Sequence, residues 1–139
     1  MFYKCTSLTT APALPATTLA SSCYRSMFEN CSSLTTAPRL PATTITSGVY
    51  NSMFKNCTSL TTAPELPATT LAYSCYSDMF NGCSSLSSVN VSFTAWNYGA
   101  QQNWLSGVAA SGTFTCPAEL PDTRGASNIP EGWTKVDAA

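Results

Sequence analysis

Seven cysteines, seven carboxylates and no histidine are the groups through which this 139-residue chain could do chemistry. Metal binding needs Cys or His ligands at short spacing, and the chain has no histidine and no C-x₂-C pair. Without histidine the usual general base is missing, along with the triads built on it. The carboxylates Glu29, Glu65, Asp78, Glu119, Asp122, Glu131 and Asp137 show no pairing of the kind that cleaves glycosides. Gly82, Gly99 and Gly107 stand alone, so no phosphate-cradling loop is visible. The residues predict a protein with no catalytic centre, no metal and no cofactor.

The cysteines fall in a pattern instead. Cys5, Cys31, Cys57 and Cys83 are 26 residues apart, and Cys23 and Cys75 share a second slot that Val49 fills between them. An apolar residue of similar size in that slot marks it as packing. If Cys23 and Cys31 lie on one helix they are about 12 Å apart, beyond the reach of a disulfide. Neighbours in the 26-residue ladder would be about 5 Å apart, where a bridge would strain a regular stack. Buried free thiols are therefore expected. Cys116 has no repeat partner, and either state is open to it.

What must position these residues is a repeat. Met1, Met27, Met53 and Met79 keep the same 26-residue step, as do Phe2, Phe28, Phe54 and Phe80, Leu8, Leu34, Leu60 and Leu86, and Tyr24, Tyr50 and Tyr76. Three copies fill residues 1–78, and a fourth starts at Met79 and departs after Leu86. So strict a period means stacked coils, each burying the apolar face of its neighbour. In "SLTTAP", Leu8 points in, Thr9 out and Thr10 in, as in a strand that ends near Pro12. "LPATTL" reads as a corner and a second extended edge. In "SSCYRSMFEN", Cys23, Met27 and Cys31 lie at i, i+4 and i+8, one face of a two-turn helix. Ser22, Gly48 and Ser74 suit its N-cap, and Asn30, Asn56 and Gly82 its left-handed C-terminal cap. The expected fold is α/β: a right-handed solenoid of leucine-rich-repeat type, with 26-residue coils carrying short parallel strands and short helices. The solenoid spans 1–88, and a mixed capping segment spans 89–139. Since Met1 falls mid-repeat, further repeats are expected N-terminal to this chain, with any leader upstream of them.

In the tail, "SSVNVSF", "GTFTC" and "WTKV" read as short strands. Trp96, Ala100, Trp104 and Val108 at four-residue steps predict an amphipathic helix with Gln101 and Gln102 turned outward. Trp96, Trp104 and Trp133 are candidates for a hydrophobic lid over the end of the stack. The alternative is a carbohydrate-stacking platform.

The stretches "MFKNCTSLTTAPELP" and "MFNGCSSL" resemble the BspA-like leucine-rich repeats of bacterial surface proteins over about residues 1–88. The tail is similar to segments that close such arrays. This unit is longer than the commonest form and has two prolines per turn. The resemblance implies an extracellular or cell-surface location, adhesion or recognition of a protein or glycan, and no catalytic residues.

Composition sets outer limits. Only 9% of residues are charged and the net charge is −1, so there is no clustered basic face for nucleic acid. No apolar run approaches the roughly 18 residues of a membrane span. The few charges sit at variable slots: Glu29 beside Lys55, and Arg39 beside Glu65, in adjacent coils. The candidate binding face is the outer side of the strands, formed by Thr9, Thr35 and Thr61 with the free positions Ala13, Arg39 and Glu65; Ala11 is expected to face outward with them. A binding module is the first reading and a structural spacer the second. A third is an ice-binding threonine array, disfavoured because consecutive threonines in a strand face opposite ways.

Overall fold

The computed structural model describes residues 1–138. Successive coils stack along one axis, and the segments expected to be helices are built otherwise. Among the described residues there is no helix, which overturns the α/β solenoid with short helices. The segments 20–31, 46–57 and 72–83 are ribbons of overlapping turns. In the first, the amides of Cys23, Arg25, Met27, Glu29 and Cys31 each donate to the carbonyl three residues back. The alternate amides, those of Ser22, Tyr24, Ser26, Phe28 and Asn30, donate to Ser47, Val49, Asn51, Met53 and Lys55 in the next coil.

The cause lies in every fourth residue. Ser22, Ser26 and Asn30 have φ of 58°, 52° and 63°, and Gly48, Ser52 and Asn56 repeat the series at 64°, 55° and 60°. A left-handed residue every fourth position stops the i to i−4 bonding of an α-helix. It turns alternate peptide groups sideways, and the neighbouring coil satisfies them. The slots read as helix caps are thus the first and last members of this left-handed series, with Ser26, Ser52 and Asp78 between them.

The apolar columns stack in register. The rings of Phe2, Phe28, Phe54 and Phe80 lie nearly parallel with centroids 5.4, 5.6 and 5.6 Å apart. Tyr24, Tyr50 and Tyr76 form a second column at 6.1 and 6.0 Å. Both columns end on Trp104, which is fully buried against Tyr76, Phe80, Phe93 and Phe114. Leu34, Leu60 and Leu86 are buried in the core, with Leu8 partly buried at the first coil.

The extended stretches pair by isolated bridges, Thr10 to Thr36 and Thr62 to Ser88. Their inward residues do not alternate: Leu60, Ala63, Pro64 and Leu66 are buried, whereas Thr61 and Thr62 are both exposed. The expected inward Thr10, Thr36 and Thr62 therefore face out, and Ala63 of the expected outer face lies inside. Two prolines in each stretch keep it from joining a full ladder and free it from strict alternation.

Regular strands appear only beyond the repeats. β1 (Ser88–Asn90), β2 (Thr113–Cys116) and β3 (Thr134–Asp137) form one parallel sheet in that order, in the three stretches read as strands. The tail also continues the turn ribbon. Ser74, Tyr76, Asp78, Phe80 and Gly82 donate to Gly99, Ala100, Gln102, Trp104 and Ser106, and Asn103 and Gly107 are again left-handed. The amphipathic helix expected over Trp96–Val108 is this fourth ribbon, in which Trp104 takes the place held by Met27, Met53 and Met79.

Candidate functional site

Each ladder cysteine has a structural role that its repeat position imposes. The thiols of Cys31, Cys57 and Cys83 donate to the carbonyls of Phe2, Phe28 and Phe54 in the preceding coil, at 2.9, 3.1 and 3.0 Å. Those carbonyls also accept the amides of Cys5, Cys31 and Cys57, so each thiol occupies a second lone pair of a carbonyl inside the stack. The Val49 slot differs: Cys75 Sγ lies 4.0 Å from the Ala100 carbonyl, a contact an apolar side chain replaces easily. All seven cysteines are free, with Cys116 buried. Burial pushes the Cys75 thiol up to about 11 and Cys83 up to about 12, and raises Cys57 further still. Thiols held protonated are poor nucleophiles and poor ligands. Cys23 departs from the expectation of burial; it is exposed at the first coil.

On the outer face, Thr9, Ala13, Thr35, Arg39, Thr61 and Glu65 are all exposed. The structure brings Ala13 and Arg39 together around a cavity of about 330 Å³ that Leu14, Pro15 and Pro41 also line. Glu65 is not part of that lining. Neither Arg39 with Glu65 nor Glu29 with Lys55 makes an ion pair; the ion pairs among the described residues are Arg124–Asp122 and Lys135–Asp137, both in the tail. The Arg124 side chain holds the Asp122 carboxyl below its ordinary value, and Arg124 also donates to the carbonyls of Pro130 and Trp133. These bonds hold the start of the last loop to its end, next to β3.

The tryptophans all serve as anchors. Trp96, Trp104 and Trp133 donate their indole N–H groups to the carbonyls of Pro121, Asn128 and Ala109 at 2.9, 3.1 and 2.8 Å. Trp104 and Trp133 are buried, while Trp96 is half-exposed beside Tyr98. Gln101, expected to face solvent, is 2% exposed. In a helix it would have followed Ala100 onto the outer side; in the ribbon it takes the inward place of Tyr76.

Among the described residues no three Cys, Asp or Glu side chains gather as metal ligands, and no helix is long and apolar enough to cross a membrane. Compared with known proteins, the chain matches no family model, no curated protein and no solved structure.

Proposed function

We propose that this protein is a non-catalytic binding module that recognises a protein or glycan on the outer face of its coils, at a cell surface or outside the cell. The observation that carries this reading is the apolar cavity bounded by Ala13, Leu14, Pro15 and Pro41, with Arg39 on its wall. It lies where the repeated phrase changes residue, so a uniform scaffold presents one variable, charged position beside a hydrophobic recess. Concave apolar sites with few polar groups are how proteins hold ligands without reacting with them. The likeness of the repeat to bacterial surface repeats supports the location and the class of partner.

The test is a binding screen of the folded chain on host-matrix protein and glycan arrays, with Arg39→Glu as the informative variant. A specific partner is expected, and reversing the charge should weaken it tenfold or more. Arrays silent with wild-type protein, or hits indifferent to Arg39→Glu, would overturn the outer-face site.

A spacer is the second reading, and one feature favours it. Every ribbon bond between coils runs from an amide of the earlier coil to a carbonyl of the later one. On the first coil the carbonyls of Ser21, Cys23 and Arg25 consequently receive no backbone donor among the described residues. A row of acceptors alone cannot pair with a copy of itself, and it fits the donor side of another coil of the same kind. The paired exposed threonines also remove the objection raised by alternation to an ice-binding array, which thermal hysteresis would test directly.

A further inference from the structure

We infer a second binding site, for an uncharged saccharide, where the fourth ribbon meets the last loop. A cavity of about 300 Å³ there is lined by Trp96, Tyr98, Gln101, Gln102, Ser127 and Asn128. Two features of this wall point to a ligand. First, the buried Gln101 has its side-chain Oε1 without any hydrogen-bond partner. A buried acceptor left unpaired is costly, and proteins keep such groups mainly where something else supplies the donor. Second, Tyr98 is 90% exposed and lines the cavity together with the half-exposed Trp96, so two aromatic rings stand at its wall.

The chemistry of the wall selects the ligand class. It carries no charged residue, so neither an anion nor a cation has a counterpart there. It offers two aromatic rings, three carboxamides and a hydroxyl. The Ser127 hydroxyl already accepts the Asn103 amide at 2.9 Å, leaving its proton to donate. Gln102 Nε2 donates one hydrogen to the Tyr98 carbonyl at 3.0 Å, leaving its second hydrogen and its oxygen free. Sugars present C–H faces that stack on aromatic rings and hydroxyls that both donate and accept. A sugar hydroxyl seated against Gln101 meets a carboxamide, which can donate or accept. Trp96 and Tyr98 also line a second cavity of about 510 Å³, with Thr69, Thr70, Leu71, Thr94, Ala95 and Asn97. The two aromatics are therefore shared by two uncharged recesses, which together offer room for more than one sugar unit. This site is remote from Arg39 in sequence and stands independently of the outer-face reading.

The experiment titrates the full chain with uncharged mono- to tetrasaccharides, following tryptophan fluorescence and ligand-observed NMR. A parallel arm uses a glycoprotein bearing neutral glycans, before and after enzymatic deglycosylation. At least one neutral oligosaccharide is expected to bind, with affinity falling tenfold or more in Tyr98→Ala, Asn128→Ala and Gln101→Leu and unchanged in Arg39→Glu. Tyr98→Ala alters a residue already in solvent, and Gln101→Leu removes an unpaired buried acceptor, so both should melt no lower than wild type. A Gln101→Leu protein that is as stable and yet no longer binds is the signature of a functional glutamine. Binding by the glycoprotein that deglycosylation abolishes would place the sugar on a carrier. Two results would overturn the site: no saccharide bound by folded wild type, or saccharide binding intact in Tyr98→Ala and Gln101→Leu.

Discussion

Replacing Phe54 by Ala should destabilise the protein by about 3–5 kcal/mol, the range for truncating a fully buried aromatic ring. Phe54 is wholly buried and sits between Phe28 and Phe80, with centroids 5.6 Å away on each side. Its loss opens a gap inside a continuous column and removes two stacked contacts, each worth about 0.5–1.5 kcal/mol beyond burial. The backbone cannot collapse to fill the gap, because ribbon bonds on both sides hold the coil spacing. The same change at Phe2 should cost far less. That ring is only partly buried and has one stacking partner, Phe28. Urea unfolding of the two variants measures the contrast. Equal costs would mean that the column does not carry the stack.

Alkali should unfold the protein cooperatively between about pH 9 and pH 12, a larger effect than acid will produce. Burial raises Cys75 from 9.0 to about 11 and Cys83 from 9.0 to about 12, and it raises Cys57, Tyr50 and Tyr76 as well. The folded state holds these groups neutral, while the unfolded chain lets them ionise at ordinary values. Their contribution is therefore whole below the unfolded pKa values, near 8.5 for a thiol and 10 for a phenol. It is lost as pH climbs towards the folded values. Each group ionised only in the unfolded chain removes roughly 1.4 kcal/mol per pH unit. Three buried thiols together remove roughly 10 kcal/mol by pH 12, enough to exhaust a stability in the lower part of the typical range of about 5–15 kcal/mol. Chemical denaturation at a series of pH values gives the slope, and Cys75→Val should make it shallower without unfolding the protein, since Val49 already fills the equivalent slot. A stability that holds level through pH 11 would show that these side chains reach solvent.

The period, the ladders and the tail strands could be read directly, because a 26-residue step is visible in any column of Met, Phe, Cys or Leu. The local geometry could not be read so easily. Cys23, Met27 and Cys31 recur every four residues, and that spacing serves a helix face and a turn ribbon equally. The distinguishing signal was present in Ser22, Ser26 and Asn30, a small or amide residue every fourth place, where a helix has no need of one. Gln101 was misplaced for the same reason, through a helical reading of Trp96, Ala100 and Trp104. The threonine pairs were misplaced because alternation presumes a regular strand, and Pro64 and Pro67 impose another rhythm. The two cavities depend on side chains from different coils, Ala13 with Arg39 and Tyr98 with Asn128, and no local pattern announces them.

The turn ribbon positions every face described above, and Ser52 tests it most directly. Its φ is 55°, where a side chain with a Cβ is strained by about 1–2 kcal/mol and glycine is not. Ser52→Gly is expected to raise stability in urea unfolding or leave it level, and Ser52→Val to lower it by more than about 1 kcal/mol. A helix would give the reverse order, with Gly the worse of the two by a few tenths of a kcal/mol. Glycine below serine, with valine close to it, would contradict the ribbon and with it the placement of both sites.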